Sequence, residues 1–444
     1  MSDWHSMSAA ELGRGIGQGA IDPVDLADSF LSAIDAHPDR DRIYTVVTAD
    51  RARAEARAAS ERAKAGQRFG PLDGVPISWK DLFDSAGVAT EAGSKLLQGR
   101  VPDRDAWVLR NATMAGTVCL GKTHMSELAF SGLGLNPMTA TPPNVNDPDA
   151  VPGGSSSGAA ASVAFGLAAC GIGSDTGGSV RIPAAWNDLV GLKTTAGRIP
   201  LEGSVPLAAK FDTIGPLARS VEDAALMLTV LEGRTRAADL RGVSLKGVRL
   251  AALQTVVLDD IRDRPLAAYE QAVAALRDAG AVVDKIDAPE VAEAMPMSAV
   301  LYTGEAYGLW RDEIEAAPDK MFAPILERFR GGKDVSAADY VDAWRKLEAL
   351  RGAWNTRMAG YDAVIMPTAP NMPPDAERLM HDNDYYVTEN LLTLRNTRVG
   401  NLMGLPAVTL PTRVRSCGLM LCGQPMAEER LLRLSKAAED VLHG

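Results

Sequence analysis

Cysteine is scarce in this chain: Cys119, Cys170, Cys417 and Cys422 are the only four in 444 residues. None stands with histidine at metal-ligand spacing, and a chain of this length does not depend on disulfides, so a zinc module and a disulfide scaffold are both set aside. The four are expected to be buried as small hydrophobes. Histidine is nearly as rare, at five residues, and only His381 and His443 follow the glycine-rich middle of the chain. Long apolar runs are missing: no stretch of about 18 or more apolar residues is free of charge, which speaks against a spanning helix. The opening MSDWHSMSAAEL has neither a basic nor an apolar leader region, and a cytoplasmic location is expected. There is no excess of positive charge either. Against 46 Lys+Arg stand 57 Asp+Glu, a formal charge of -11, which argues against a groove for nucleic acid.

What the chain does have is apolar mass and glycine. A hydrophobic fraction of 46% suffices for a large buried core. The stretch Val151 to Pro200 concentrates glycine and small hydroxyl residues in two clusters, Gly153 to Gly158 and Ser174 to Ser179, joined by an Ala-rich, helix-like spacer. Glycine lets the backbone take φ > 0 and turn successive N–H groups one way, the geometry of an oxyanion hole.

Around that stretch the text reads as alternating helices and strands. Helices are expected over Pro23 to Ala36, with Asp22 as cap and Pro23 in first position, and over Thr48 to Lys64, Asp105 to Ala115, Ser220 to Leu231 and Glu428 to Leu442. Strands are expected over Val248 to Leu253 and Ala281 to Ile286 with a helix between them, a βαβ unit. Others are expected over Tyr361 to Met366, Ala407 to Leu410 and Leu419 to Cys422. With no repeat, low-complexity tract or linker, one continuous α/β domain is the economical reading. Lys80, between Trp79 and Leu82, is either snorkelling or held inside; if held inside, its ammonium is penalised and a neutral amine becomes available as a base.

Two motifs invite other chemistry. GTVCLGKT, Gly116 to Thr123, has the letters of a phosphate loop, but a helix precedes it and its own middle is the strand, the reverse of what phosphate binding needs. Gly154 to Gly158 fits GxSxG with Ser156 in the nucleophile place, but no apolar strand leads in and no suitable histidine follows.

GGSSSG followed by GSDTGGSVRIPA, with GVPISWKD upstream, resembles the amidase signature family, and the resemblance runs on through YDAVIMPTAP, NLMGLPAVTLP and GLMLCGQ. It implies a single large domain over 1–444 with a mixed, mostly parallel central sheet flanked by helices on both faces. Within it, 1–66 is a helical lead, 67–205 the catalytic signature core and 206–444 the remaining sheet and specificity region. The resemblance implies Ser179 as nucleophile, Ser155, after a cis peptide bond, as proton relay, and Lys80 as base; 179 minus 155 gives the separation of 24 that the family pattern has. Backbone N–H groups of Thr176, Gly177, Gly178 and Ser179 are the implied oxyanion hole, and Ala129 and Ser131 the implied substrate contacts. No metal or organic cofactor is implied. His124, Ser126 and Ser157 depart from the family's commoner residues and bear on the choice of substrate.

The activity so implied is hydrolysis of a carboxylic amide to an acid and ammonia or an amine. Within the same family the chain could instead be the glutaminase subunit of a tRNA-dependent amidotransferase, or another partner-dependent amidase. GKTHMSEL and SCGLMLCGQP speak against the first of these. A non-catalytic binding homologue is the reading from another class, and intact Lys80, Ser155 and Ser179 speak against it. The expected partner is a small-molecule amide, with no direct nucleic acid and no membrane, and a homodimer left open. Trp310, Phe322, Phe329, Tyr385 and Tyr386 are candidates for an apolar wall, and Arg311, Arg330, Arg395 and Arg398 for recognising a substrate carboxylate.

Overall fold

Eleven strands pair into one sheet in the computed structural model, which describes residues 4–443. They are β1 (Tyr44–Val47), β2 (Pro76–Lys80), β3 (Val118–Thr123), β4 (Cys170–Asp175), β5 (Val190–Lys193), β6 (Thr213–Ala218), β7 (Arg249–Leu253), β8 (Val282–Ile286), β9 (Ala363–Pro367), β10 (Ala407–Pro411) and β11 (Gly418–Cys422). Their order is β1-β3-β2-β4-β6-β5-β10-β11-β9-β7-β8, with helices flanking the sheet. The α/β class, the single mixed sheet and the βαβ unit at its β7–β8 edge are as expected.

The expected parallel majority is not found. Six pairings are antiparallel and four are parallel. The reason lies in the connections. Parallel neighbours need a crossover of a dozen or more residues, whereas the short link 412–417 between β10 and β11 can only reverse the chain.

Helix boundaries follow the caps. Asp22 accepts from Val24 N at 2.9 Å ahead of the helix Pro23–Ala36. Ser220 accepts from Asp223 N at 3.1 Å ahead of Val221–Leu231. The phosphate-loop look-alike resolves as its sequence context requires, since β3 occupies Val118–Thr123 behind the helix Trp107–Met114. No helix among the described residues is long and apolar enough to cross a membrane.

Placement of the site follows from the middle of the sheet. β2 and β4 run parallel and in register from Ile77↔Cys170 to Trp79↔Ile172, so their carboxyl ends emerge together. Lys80 closes the first and Asp175 the second. Side chains converging outside the carboxyl ends of parallel strands are where open α/β sheets put their sites. The helix Ser157–Ala164 lies against β4 so closely that a Cβ on Gly171 would stand 2.7 Å from Ala159 O, and one on Gly173 2.5 Å from Ser156 Oγ. Those glycines press the Ser155 loop against β4.

Candidate active site

The turn after β4 is held by a buried ion pair. Asp175 accepts from Arg181 Nε and Nη2 at 2.9 and 2.8 Å, from Gly178 N at 2.9 Å, from Val180 N at 3.1 Å and from Asn401 Nδ2 at 3.0 Å. Burial alone would raise its carboxyl, yet the Arg181 charge and these donors hold it well below the usual carboxylate range. Arg181 in turn donates to Thr397 O and Asn401 Oδ1, at 2.8 and 2.5 Å. The turn is thus cross-braced to the helix Asn383–Leu402. Both partners of the Asp175–Arg181 pair are fully buried, so Asp175→Ala strands a guanidinium in the core. A loss of about 3–5 kcal/mol is expected, read as a lower urea midpoint with an unchanged m-value.

Lys80 is buried, and its Nζ lies 2.7 Å from Ser155 Oγ and 2.8 Å from Ser174 Oγ. Two other buried lysines show what is particular about it, which is that hydroxyls are its only partners. Lys122 pairs with the Asp81 carboxylate at 3.0 Å as well as with the Thr90 hydroxyl at 2.8 Å, and Lys193 donates to the carbonyls of Thr194 and Leu405 at 2.8 Å each. A carboxylate or a carbonyl can only accept. A hydroxyl can also donate, so the surroundings of Lys80 can serve the neutral amine with its lone pair as well as the ammonium. Burial pushes the Lys80 amine down to about 7, against the opposing pull of Asp175 and Asp212.

Ser155 follows a cis peptide bond from Gly154, as the resemblance implies. Ser156 N donates to Ser179 O at 3.2 Å, which joins the two glycine-rich loops at backbone level, and Ser126 N donates to Ser155 O at 3.2 Å, which ties the first loop to the segment after β3. No hydrogen bond joins the Ser155 and Ser179 hydroxyls. Ser179, 3% exposed, opens instead onto a tight cleft of about 20 Å³ lined also by Ala129, Ser131, Thr176 and Gly177. The sequence motifs therefore bring Lys80, Ser155 and Ser179 to one place.

The four expected oxyanion donors divide. Gly178 N–H is committed to the Asp175 carboxylate, and a Cβ at this residue, at φ +141°, would stand 2.2 Å from Thr397 Oγ1. Its part is to shape the turn. The N–H groups of Thr176, Gly177 and Ser179 find no acceptor among the described residues, and all three residues lie along the cleft. Thr176 Oγ1 donates to Asp212 Oδ1 at 2.5 Å, which fixes the near end of the turn. Ala129 takes φ +61° in the Glu127–Ala129 turn and borders the cleft. Ser131 is tied up, donating to Asn390 Oδ1 at 3.2 Å and accepting from Tyr386 OH at 3.1 Å.

The three departures from the family's commoner residues sit behind the Ser155 loop and line none of this cleft. His124 O accepts from Gly158 N at 2.9 Å and from Ser157 Oγ at 3.3 Å. Burial drives its imidazole down to about 4, so it is neutral. A Cβ on Gly154 would come within 2.4 Å of Ser126 Oγ. The cysteines are buried and free, and burial raises the thiols of Cys119, Cys417 and Cys422 to about 11. Sequence reasoning did not single out Ser174 and Asp212, or Tyr302 and Arg328, which also line the cleft. Ser174 had a signal, since it opens the second glycine cluster; the other three come from distant segments.

Comparison with known proteins shows the family. A family model described as "Amidase" matches residues 25–432. A glutamyl-tRNA(Gln) amidotransferase subunit of Brucella anthropi is 32% identical across 99% of this chain and 98% of its own. The 2-amino-5-chloromuconic acid deaminase of Comamonas testosteroni is 35% identical over 88% of this chain and 87% of its own. The peptide amidase of Stenotrophomonas maltophilia superposes with a TM-score of 0.81 at 28% identity, covering 99% of this chain and 97% of that one. With a family match over most of its length and relatives above 30% identity along nearly all of it, this chain belongs to the amidase signature family, whose members cleave amide C–N bonds.

Proposed function

We propose that this chain hydrolyses a carboxylic amide through an acyl-enzyme on Ser179, with Ser155 relaying the proton and Lys80 as the base. Ser179 Oγ attacks the amide carbon and gives up its proton towards Ser155, whose own proton passes to the Lys80 amine. The oxyanion is held by N–H groups of Thr176, Gly177 and Ser179; such a donor is typically worth about 3–4 kcal/mol in the transition state. The C–N bond then breaks as the relay returns a proton to the departing nitrogen. Water attacks the ester, the relay takes its proton, and the carboxylic acid leaves with Ser179 restored. The observation that carries this reading is the Lys80 amine, buried between two serine hydroxyls at 2.7 and 2.8 Å. We assign the chemistry to segment 67–205 of one domain over 1–444, with 1–66 as its helical lead and 206–444 supplying the rest of the sheet and the specificity region. Four unpaired, buried thiols fit a reducing, cytoplasmic setting.

A second reading has its own support. The amidotransferase relative aligns along 99% of this chain, and a protein of that kind would release ammonia only with its partner. The experiment is ammonia and amine release by the purified chain alone, against glutamine, aliphatic amides, dicarboxylic mono-amides and aryl amides, with Ser179→Ala as blank. Release that the blank abolishes supports a self-sufficient amidase. Silence from folded protein, relieved by co-purified partners, would turn the assignment to the second reading.

The pH dependence has a definite sign. The base works as the neutral amine, so kcat/KM should fall about tenfold per unit below about pH 7 and level off above it. A profile flat to pH 5 would require a base other than Lys80.

A further inference from the structure

Two arginines border the cleft that Ser179 opens onto, and neither has a hydrogen-bond or ion-pair partner among the described residues. The lining includes Arg328 and Arg398 but no acidic residue. Arg328 comes from the helix Ala323–Arg330 and Arg398 from Asn383–Leu402. Neither guanidinium makes an ion pair or donates a hydrogen bond, and Arg328 Nη1 and Arg398 Nε are buried without any acceptor. Tyr302 OH, from the helix Met297–Ala316, is a third buried and unpartnered donor in the same lining.

The neighbouring carboxylates are all spent elsewhere. Asp175 faces Arg181, Asp212 takes Thr176 and two backbone N–H groups, Glu127 takes Ser94 and Phe322 N, and Glu389 takes Arg262 and Asn371. Other arginines of the chain find acceptors. Arg330 pairs with Glu315 and Glu327, Arg395 bonds the carbonyls of Asp259 and Val257, and Arg311 faces Asp312. Arg57, Arg236, Arg264 and Arg415 show no acceptor among the described residues either, but they are exposed to water, whereas Arg328 and Arg398 each bury a guanidinium nitrogen without one.

Both residues are half-buried; a guanidinium nitrogen buried without an acceptor is costly, and the group keeps its charge at neutral pH. Here two share one cleft, and each cation is disfavoured by burial, Arg328 further by the charge of Arg398. What relieves both is an anion between them, best a carboxylate, which matches the planar fork of donors. The place is also right. A Cβ on Gly177 would lie 3.9 Å from Arg398 Cγ and 3.9 Å from Tyr302 Cε2, so these side chains flank the turn that ends in Ser179. Arg328 is steadied from behind by the Phe130 ring, 4.5 Å from its guanidinium carbon. Leu207 and Leu394 supply apolar lining beside these donors.

We propose that Arg328 and Arg398, with Tyr302, form an anion subsite that selects amides whose acyl part carries a carboxylate, the mono-amides of short dicarboxylic acids. This rests on the amide-hydrolysing reading for turnover, and the anion subsite itself can be tested without turnover. Substrate supplies the missing acceptors, and the dicarboxylate product keeps them until it leaves.

The test uses the full-length protein and matched probes. In kinetics, succinamate is compared with its neutral isostere butyramide. A kcat/KM ratio of the order of a hundred in favour of succinamate is expected, falling towards one in Arg398→Met and partly kept in Arg398→Lys. In binding, succinate and butyrate are titrated into Ser179→Ala at one ionic strength and followed by melting temperature. Succinate should raise it, butyrate should not, and adding Arg398→Met should remove the effect. Arg398→Met by itself should melt no lower than wild type, because it deletes a half-buried charge that has no acceptor; a brace for the fold would melt lower. Equal turnover of the two amides, or no succinate binding, overturns the subsite while leaving amide hydrolysis standing. Arginine-dependent succinate binding without hydrolysis of any amide upholds the subsite and overturns the amidase reading.

Discussion

Ser179→Ala should lower turnover by at least about a thousandfold while leaving the melting temperature where it was. The two halves of that result come from different facts. Turnover falls because the cleft offers no second nucleophile in Ser179's position: Ser131 is held by Asn390 and Tyr386, and the Thr176 hydroxyl is bonded to Asp212. What survives is the background from oriented N–H donors and substrate binding, which persists when a nucleophile is removed. Stability is unmoved because the Ser179 hydroxyl makes no hydrogen bond, so its loss leaves no buried group unsatisfied. The backbone contact from Ser156 N to Ser179 O, 3.2 Å, does not involve the side chain. Mass spectrometry gives the complementary readout. A slow amide or activated ester should add its acyl mass to wild type and not to Ser179→Ala. Activity within tenfold of wild type would remove Ser179 from the mechanism.

Legibility in the sequence tracked how local each signal was. The helix Pro23–Ala36 and the strand ends at β10 and β11 were readable because caps, periodicity and turn residues are written within a few positions. Strands β4, β5 and β6 were not. β4 reads CGIGSD, a run of glycine and polar residues with little strand propensity, and it is a strand because its neighbours on both sides supply the ladder. The glycines that weaken its propensity are what let the Ser157–Ala164 helix approach it. The site divides the same way. Lys80, Ser155 and Ser179 lie in motifs whose neighbours and spacing resemble a family, and the structure brings them together. Of the four arginines considered for a carboxylate, only Arg398 reaches the cleft, and its companion Arg328 carried no local mark. Of the expected aromatic wall, none of Trp310, Phe322, Phe329, Tyr385 and Tyr386 lines it; Phe329 packs against Phe130 at 4.8 Å, Trp310 donates to Pro206 O at 2.9 Å, and Tyr386 donates to the Ser131 hydroxyl at 3.1 Å. An unpaired charge is a property of what surrounds it, and that is written only in three dimensions.

Lys80→Met should cost turnover as much as Ser179→Ala does and leave a separate mark on stability. Methionine fills a similar volume but can neither accept the Ser155 proton nor hold that hydroxyl, so kcat should drop by at least about a thousandfold, and the acid limb near pH 7 should vanish from whatever activity remains. The mark on stability comes from linkage. Lys80 binds its proton with a value near 7 when folded and near 10.5 when unfolded. Between those two pH values the unfolded chain holds one proton more than the folded one, so this group makes the wild type more stable as pH rises, by up to about 1.4 kcal/mol per unit. Below about pH 7 both states are protonated and the burial penalty is fully present. Lys193, also near 7 when folded, adds a rise of the same sign, but it is common to wild type and variant and cancels in their difference. The unfolding free energy of wild type minus that of Lys80→Met should therefore climb from pH 7 to 10 and be flat from pH 5 to 6.5. Urea titrations of both proteins across that range give the difference directly. A difference that stays level from pH 7 to 10 would mean that Lys80 is an ammonium in the folded protein, and a permanent ammonium cannot take the proton from Ser155.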